Sequence, residues 1–340
     1  MSRLRTFAGF LSFIAAVAAA GAASAQDAEF YKGKRINLVV GFNPGGGYDT
    51  YARAVARHWT NHIPGQPSFV IQNMPGAGSL IAANHLFNVA AGDGTVLGAV
   101  NPNIASTSLL KPGRAKFDLR QFHWIGSPER LTMVGAVSGT APVQTLEALK
   151  TREMIVAGAG SATVLLPTVG QKLLGLKFKV ISGYPGTKGS MLAIERGEVH
   201  GAAISYSSFK SGYGAQAKEG KLKLFTQFGL RRHPELPDVP MMVDLATDKD
   251  QRTALRFVLA YQEMGRPTIA PPGVPASRVT ALRRSFDAVM KDPAFLDYAK
   301  KHRLDIDADY PKGEELQETV AEIYATPASV IEQLRKLELQ

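Results

Sequence analysis

The sequence predicts an α/β protein of two lobes, and three observations predict it. Short β-type runs alternate with amphipathic helical runs; the alternation comes in two separate series; and glycine-rich turns stand between strand and helix at four places. Alternating βα units bury their apolar faces by forming a parallel sheet covered with helices. Two such series, with a return segment between and after them, predict two lobes with the chain crossing near 130–139 and 230–253.

The first series opens with "RINLVVGF" (35–42), an apolar run of buried-strand type. The helical pattern after it places Tyr51, Val55 and Trp59 on one stripe with Ala52, Ala56 and Ile63, and Pro64-Gly65 stops it. "SFVIQN" (68–73) is the next strand, "PGAGS" the next turn, and 80–91 the next helix. Gly92-Asp93-Gly94 punctuates, and "TVLGAV" (95–100) is the third strand. A less regular stretch, 101–139, separates the two series. The second series reads as strands at 154–160, 177–184, 200–205 and 221–228, with helices at 164–174 and 187–198. Beyond Pro267 the pattern turns mainly helical, at 277–290, 293–302 and from Lys312 to the end.

The first residues predict export. Arg3 and Arg5 precede an apolar run from Phe7 to about Ala20, followed by Ala23-Ser24-Ala25 and Gln26. A basic start, a short apolar stretch and a small-x-small site describe a cleavable secretory signal, with a retained N-terminal anchor as the alternative. Cleavage near Ala25-Gln26 predicts an exported protein. Cysteine is absent, which excludes disulfides, thiolate zinc sites and cysteine nucleophiles. The formal charge of +10 falls to +8 once Arg3 and Arg5 are removed. Such a surplus suits an anionic ligand or surface, or simply solubility. The basic residues are scattered rather than interleaved with aromatics, which argues against nucleic acid.

Chemistry is concentrated in the four glycine turns: Gly45, Gly46 and Gly47; Gly76 and Gly78; Gly158 and Gly160; Gly183 and Gly186. Glycine lets a ligand approach the backbone without a Cβ in the way. Each turn feeds a helix start, where unpartnered N–H groups and the helix dipole favour an anion. A βα loop also needs glycine merely to turn; four turns, two per lobe, favour a shared ligand site. A P-loop would require Gly-Lys-Ser/Thr, which "PGGGYDT" lacks, and neither "GAGSLI" nor "GAGSAT" has the third glycine of a dinucleotide fingerprint. A small carboxylate remains. Charge-assisted hydrogen bonds contribute about 1.5–3 kcal/mol each, and micromolar affinity needs about 8 kcal/mol, so several of them suffice.

Catalysis has less support. Ser79 and Ser161 follow glycines, but neither lies in a G-x-S-x-G elbow. His58 and His62 have metal-ligand spacing, yet "HWTNH" lacks the glutamate of H-E-x-x-H, and both read as surface histidines. Asp49 either contacts the ligand or caps the helix. Tyr48 and Tyr206 either line the site or pack.

At these residues the sequence resembles the periplasmic solute-binding proteins of tripartite tricarboxylate transporters, the Bug or TctC receptors. The matching stretches are "GFNPGGGYDTYAR", "NMPGAGS", "GYPGTKGSMLAIERGEVHGA", "HPELPDVPMM" and "APPGVPASRV", in family order from about residue 34 to 300. The resemblance implies a type II periplasmic-binding-protein fold with the ligand cleft between two lobes. Residues 1–25 are then the signal peptide, 26–133 plus 250–340 the first lobe and 134–249 the second. It implies ligand-binding residues Pro44, Gly45, Gly46, Gly47, Tyr48, Asp49, Gly76, Ala77, Gly78, Ser79, Asn101 and Asn103 in the first lobe. In the second it implies Ser161, Ala162, Thr163, Tyr184, Gly186, Thr187, Ser205 and Tyr206. The implied function is capture of a small organic carboxylate for a membrane transporter, by a monomer without cofactor, metal or catalytic residues. A ligand-sensing protein serving a membrane sensor and an exported hydrolase or lyase are the alternatives. The sequence departs from the family pattern at Tyr48 (commonly threonine or serine), Met74 (arginine) and Ser79 (glycine), and its tail from Lys312 is longer. Ser79 would add a hydroxyl near the carboxylate.

Overall fold

Arg35–Val40 forms strand β1, and the two strands beside it, Ser68–Asn73 (β2) and Val96–Ala99 (β3), both run parallel to it. The computed structural model describes residues 27–159 and 161–337. The expected signal segment, its Ala25-Gln26 cleavage site and Gly160 lie outside the described residues. The chain divides into two compact units: unit 1 comprises the residues up to Ile104, Gly113–Glu129 and Arg266–Glu318; unit 2 comprises Ala105–Pro112, Arg130–Gly265 and the residues from Thr319.

Unit 1 is built on a five-stranded sheet of order β2-β1-β3-β10-β4, where β4 is His123–Gly126 and β10 is Thr268–Ala270. The helix Gly47–Trp59 packs its expected stripe, Tyr51, Ala52, Val55, Ala56 and Trp59, into the core. Trp59 anchors that core. It is fully buried, lies 5.5 Å from Phe69 and 5.4 Å from Phe286 between ring centroids, and donates its indole N–H to Ser285 Oγ at 2.7 Å. A buried indole with a partner for its N–H gains both apolar burial and a satisfied donor.

Unit 2 has its own five-stranded sheet, of order β7-β6-β8-β5-β9. Its strands are Met133–Ser138 (β5), Met154–Gly158 (β6), Phe178–Ser182 (β7), Gly201–Ser205 (β8) and Leu222–Gln227 (β9). The second core gathers Val134, Ala136, Ile194, Ala202, Ile204 and Phe209. The C-terminal helix Ala328–Lys336 packs against Lys249–Leu259 in this unit, and Arg335 Nη2 donates to the Leu109 carbonyl at 2.7 Å.

Both sheets are mixed, which corrects the expectation of parallel sheets. Strand β10 pairs antiparallel with β3 and β4, and β5 pairs antiparallel with β8 and β9. The three strands not anticipated are β4, β5 and β10. The first two fall in the stretch read as irregular, and β10 has only three residues. A run that short shows no periodicity; its strand character comes from the ladder partners that tertiary folding supplies. Helices Ile104–Leu110, Tyr206–Lys218 and Lys249–Leu259 were likewise not expected. No described helix is long and apolar enough to cross a membrane.

Because Trp59 is enclosed on all sides, Trp59→Ala should lower stability by about 3–5 kcal/mol. Chemical denaturation followed by circular dichroism measures it, and a change under 1 kcal/mol would contradict this account of the core.

Candidate functional site

Parallel strands deliver their following turns to one end of a sheet. In unit 1 the register of β1 with β2 and β3 brings the turns 41–47, 74–79 and 100–103 to the same end. Here the expected residues Pro44 to Asp49, Gly76 to Ser79, Asn101 and Asn103 come together, and side-chain hydrogen bonds join them.

Asp49 is the centre of the first turn. Its side chain is 3% exposed. Oδ2 accepts from Gly45 N–H at 2.8 Å and from Arg53 Nε at 2.9 Å, while Oδ1 accepts from Asn73 Nδ2 at 2.8 Å. Asn73 Nδ2 also donates to the Phe42 carbonyl at 2.9 Å. One carboxylate therefore holds the glycine turn, the first helix and the end of β2 together. Of its two expected roles Asp49 takes the structural one, with both oxygens engaged. Burial pushes the Asp49 carboxyl up, but the hydrogen bonds from Arg53, Gly45 and Asn73 overcome it and hold it at about 2.

With Gly45 N–H held by Asp49, the next N–H groups, those of Gly46 and Gly47, make no hydrogen bond among the described residues. They head a 13-residue helix. A Cβ at Gly45 would meet nothing within 4 Å, and at Gly46 only the Asn43 carbonyl at 3.5 Å. Gly45, at φ +79, supplies the positive φ the turn requires. The turn is thus open, polar and rigidly supported.

The second turn is a left-handed run. Gly76, Ala77, Gly78 and Ser79 have φ of +138, +47, +62 and +76. For Ala77 and Ser79 this is strained backbone, of order 1–3 kcal/mol each, kept only where surroundings enforce it. Ser79 shows what enforces it. It is fully buried, donates from Oγ to the Gly41 carbonyl at 3.2 Å and accepts the Asn101 N–H at 3.1 Å. The hydroxyl anticipated beside a carboxylate is thus engaged in joining the ends of β1 and β3. Asn101 Oδ1 in turn accepts Asn103 N–H at 3.0 Å.

Tyr48 stacks on Phe42, centroids 4.0 Å apart at 8°. Beyond it lies a residue that sequence reading did not single out. The Arg266 guanidinium lies 5.0 Å from the Tyr48 centroid and 4.6 Å from that of Tyr51. Its Nη1 would stand 3.0 Å from a Cβ on Gly47. Glu129 holds it: Arg266 Nε donates to Oε1 at 2.6 Å, and Tyr51 OH donates to Oε2 at 2.8 Å. Arg266 N–H also donates to Ser127 Oγ at 2.9 Å. Burial opposes the charge on Arg266, but Glu129 and the two tyrosines more than offset it and keep the guanidinium protonated. No local motif marks Arg266 or Glu129, which are 137 residues apart in sequence.

In unit 2 the parallel strands β6, β7 and β8 gather the turns holding the remaining expected residues. The helix Ser161–Leu174 begins at the first turn, and Thr163 Oγ1 accepts Ala159 N–H at 2.8 Å there; Ala162 lies between them. Gly183 and Gly186 have φ of +103 and +66, and the helix Gly186–Glu195 follows with Thr187 in its first turn. Ser205 caps the helix Tyr206–Lys218. Tyr184 and Tyr206 are half-buried against the second core, and Tyr206 OH donates to Glu235 Oε2 at 2.9 Å.

Of the two histidines expected at the surface, His62 is partly exposed and His58 is covered. His58 lies among aromatic rings, 5.5 Å from Phe295 and 5.2 Å from Tyr298, and burial lowers its pKa. His62 Nε2 meets Asp292 Oδ2 at 3.0 Å. Among the described residues no three His, Asp or Glu side chains are grouped to hold a metal.

The low pKa of Asp49 fixes a pH dependence. Folding moves it from 3.8 to about 2, so its stabilisation is complete above about pH 4 and disappears as pH falls toward 2. A shift of that size contributes about 2 kcal/mol. Asp49→Asn should be less stable than wild type by about that much at pH 7, the gap closing by pH 2. Urea melts across that range measure it; a gap independent of pH would contradict the assignment.

Comparisons with known proteins show the family and the fold. The family profile described as "Tripartite tricarboxylate transporter family receptor" matches residues 51–335. A Cupriavidus necator protein, "UPF0065 protein in gbd 5'region", is 24% identical over 318 residues, which are 90% of this chain and 89% of that protein. Among solved structures, a TctC solute-binding protein from Polaromonas is similar with a TM-score of 0.68, at 19% identity over 89% of this chain and 99% of that one. MatC from Rhodopseudomonas palustris, with bound malate, is similar with a TM-score of 0.60, at 20% identity over 87% and 99%. The fold is that of two-lobed periplasmic binding proteins. With most of its length matched by the family profile, the chain belongs to the periplasmic receptor family of the tripartite tricarboxylate transporters.

Proposed function

We propose that this protein binds a small organic carboxylate, without converting it, and delivers it to the membrane subunits of a tripartite tricarboxylate transporter. The observation that supports this most is the first glycine turn. Gly46 and Gly47 present two unengaged N–H groups at the head of a helix, Gly46 in open space and Gly47 beside the Arg266 guanidinium, on a turn that Asp49 keeps rigid. An anion there meets the N–H groups and the positive end of the helix dipole together. Preorganisation matters because a turn already held in its binding conformation loses little entropy when the ligand arrives. MatC, a similar structure, holds malate, a small carboxylate.

The proposal covers Pro44 to Asp49, Gly76 to Ser79, Asn101 and Asn103 in unit 1, with Asp49 and Ser79 acting through the backbone they hold. It extends, on the family pattern, to Ser161, Ala162, Thr163, Tyr184, Gly186, Thr187, Ser205 and Tyr206 in unit 2. Export through cleavage near Ala25-Gln26 and action as a monomer complete it.

Gly46 gives the cleanest test. Its φ of −78 suits any residue, and a side chain there would enter the open space before the helix. Gly46→Val should keep the wild-type melting temperature yet bind the acid at least tenfold more weakly by calorimetry, equivalent to about 1.4 kcal/mol. Native mass spectrometry of protein purified from periplasm would identify the acid, and the bound acid should be recovered chemically unchanged. Equal affinity in the variant would remove the first turn from the site.

A further inference from the structure

We propose that Arg266 is the side-chain anchor in unit 1 for the ligand's carboxylate. This rests on the carboxylate reading of the first glycine turn and specifies its chemistry.

Position comes first. The guanidinium lies flat against Gly47, with Nη1, Cζ and Nη2 at 3.0, 3.4 and 3.5 Å from where a Cβ would stand. It therefore sits beside the first residue of the helix, next to the open N–H groups of Gly46 and Gly47. A cation beside the positive end of a helix dipole is unfavourable. An anion that bridges the guanidinium and the N–H groups relieves that repulsion and gains from both sources.

Orientation comes second. Glu129 engages Nε at 2.6 Å, and among the described residues no hydrogen bond engages either Nη. The rings of Tyr48 and Tyr51 confine the plane of the guanidinium. Tyr51 in turn is fixed, its hydroxyl accepting Asp305 N–H at 2.9 Å and donating to Glu129. An arginine held by Nε and by ring faces is preorganised to offer its Nη groups to a carboxylate, and little rotamer entropy remains to be lost.

The depression beside the guanidinium, lined by Tyr48, Tyr51, Val55, Ala99, Pro128 and Thr268, has room for about one water, and Arg266 is its one charged residue. The other arginine bound into this turn, Arg53, is spent on Asp49 at 2.9 Å. A carboxylate at the turn therefore has Arg266 as its cationic partner.

Calorimetry on the mature protein with benzoate, phenylacetate, succinate and citrate tests the proposal. For whichever of these acids the wild type binds, Arg266→Lys, which keeps the charge and loses the fork, should weaken binding at least tenfold. Removal of Arg266 alone would strand buried Glu129 and could unfold the protein, so the neutral pair Glu129→Gln with Arg266→Met provides the second variant. It should fold with a cooperative melt and lose the same affinity. Affinity unchanged in both variants would overturn the proposal while leaving the carboxylate reading standing. If none of the four acids bound, nor any acid in a wider thermal-shift screen, the carboxylate reading itself would fall and the proposal with it.

Discussion

The carboxylate of Asp49 is the constraint on which the first turn depends. It is buried, and a buried charge is tolerated only where hydrogen bonds replace the water it has lost. Three donors do so: Gly45 N–H from the turn, Arg53 from one helical turn further along, and Asn73 from the end of β2. Each is a separate piece of chain, so satisfying one charge positions three elements at once. The turn's N–H groups thereby divide into one bound inward and two left without a partner among the described residues.

A second buried carboxylate organises the neighbouring layer. Glu129 links Arg266 and Tyr51, and Tyr51 reaches the backbone of Asp305. Residues far apart in sequence thereby share one position beside the helix start. The strained left-handed turn at Ala77 and Ser79 is held by the same logic: Ser79 Oγ is buried between a carbonyl and an N–H that would otherwise be unsatisfied. Ser79 thus adds an internal tie between β1 and β3, which stabilises the loop against its own backbone cost.

The elements easiest to read were those whose apolar pattern is longer than a few residues. The helix Gly47–Trp59 and strands β1 and β2 have periodic faces because their burial is regular. Strands β4, β5 and β10 were not legible. Their residues join sheets antiparallel to the main direction, through partners distant in the chain. The helix Tyr206–Lys218 escaped for a related reason: Ser207, Ser208, Gly212 and Gly214 weaken its intrinsic preference, and packing compensates. His58 was misread because its position on the helix suggested solvent, whereas the helix Pro293–Lys301 covers it with Phe295 and Tyr298.

By itself the sequence determined the α/β class, the two βα series, the family and the four glycine turns, because these are encoded by local pattern and by order along the chain. Tertiary structure decided which groups at the turns stay open and which are consumed internally. Asp49 and Ser79, both eligible from sequence, are turned inward by partners that only folding brings near. Arg266 carries no motif, yet it lies against Gly47 because β10 follows it into the sheet and Glu129 waits at the end of another segment. A glycine's spacing is a local property of the chain, whereas the charge placed beside it depends on which distant strand the sheet selects as neighbour.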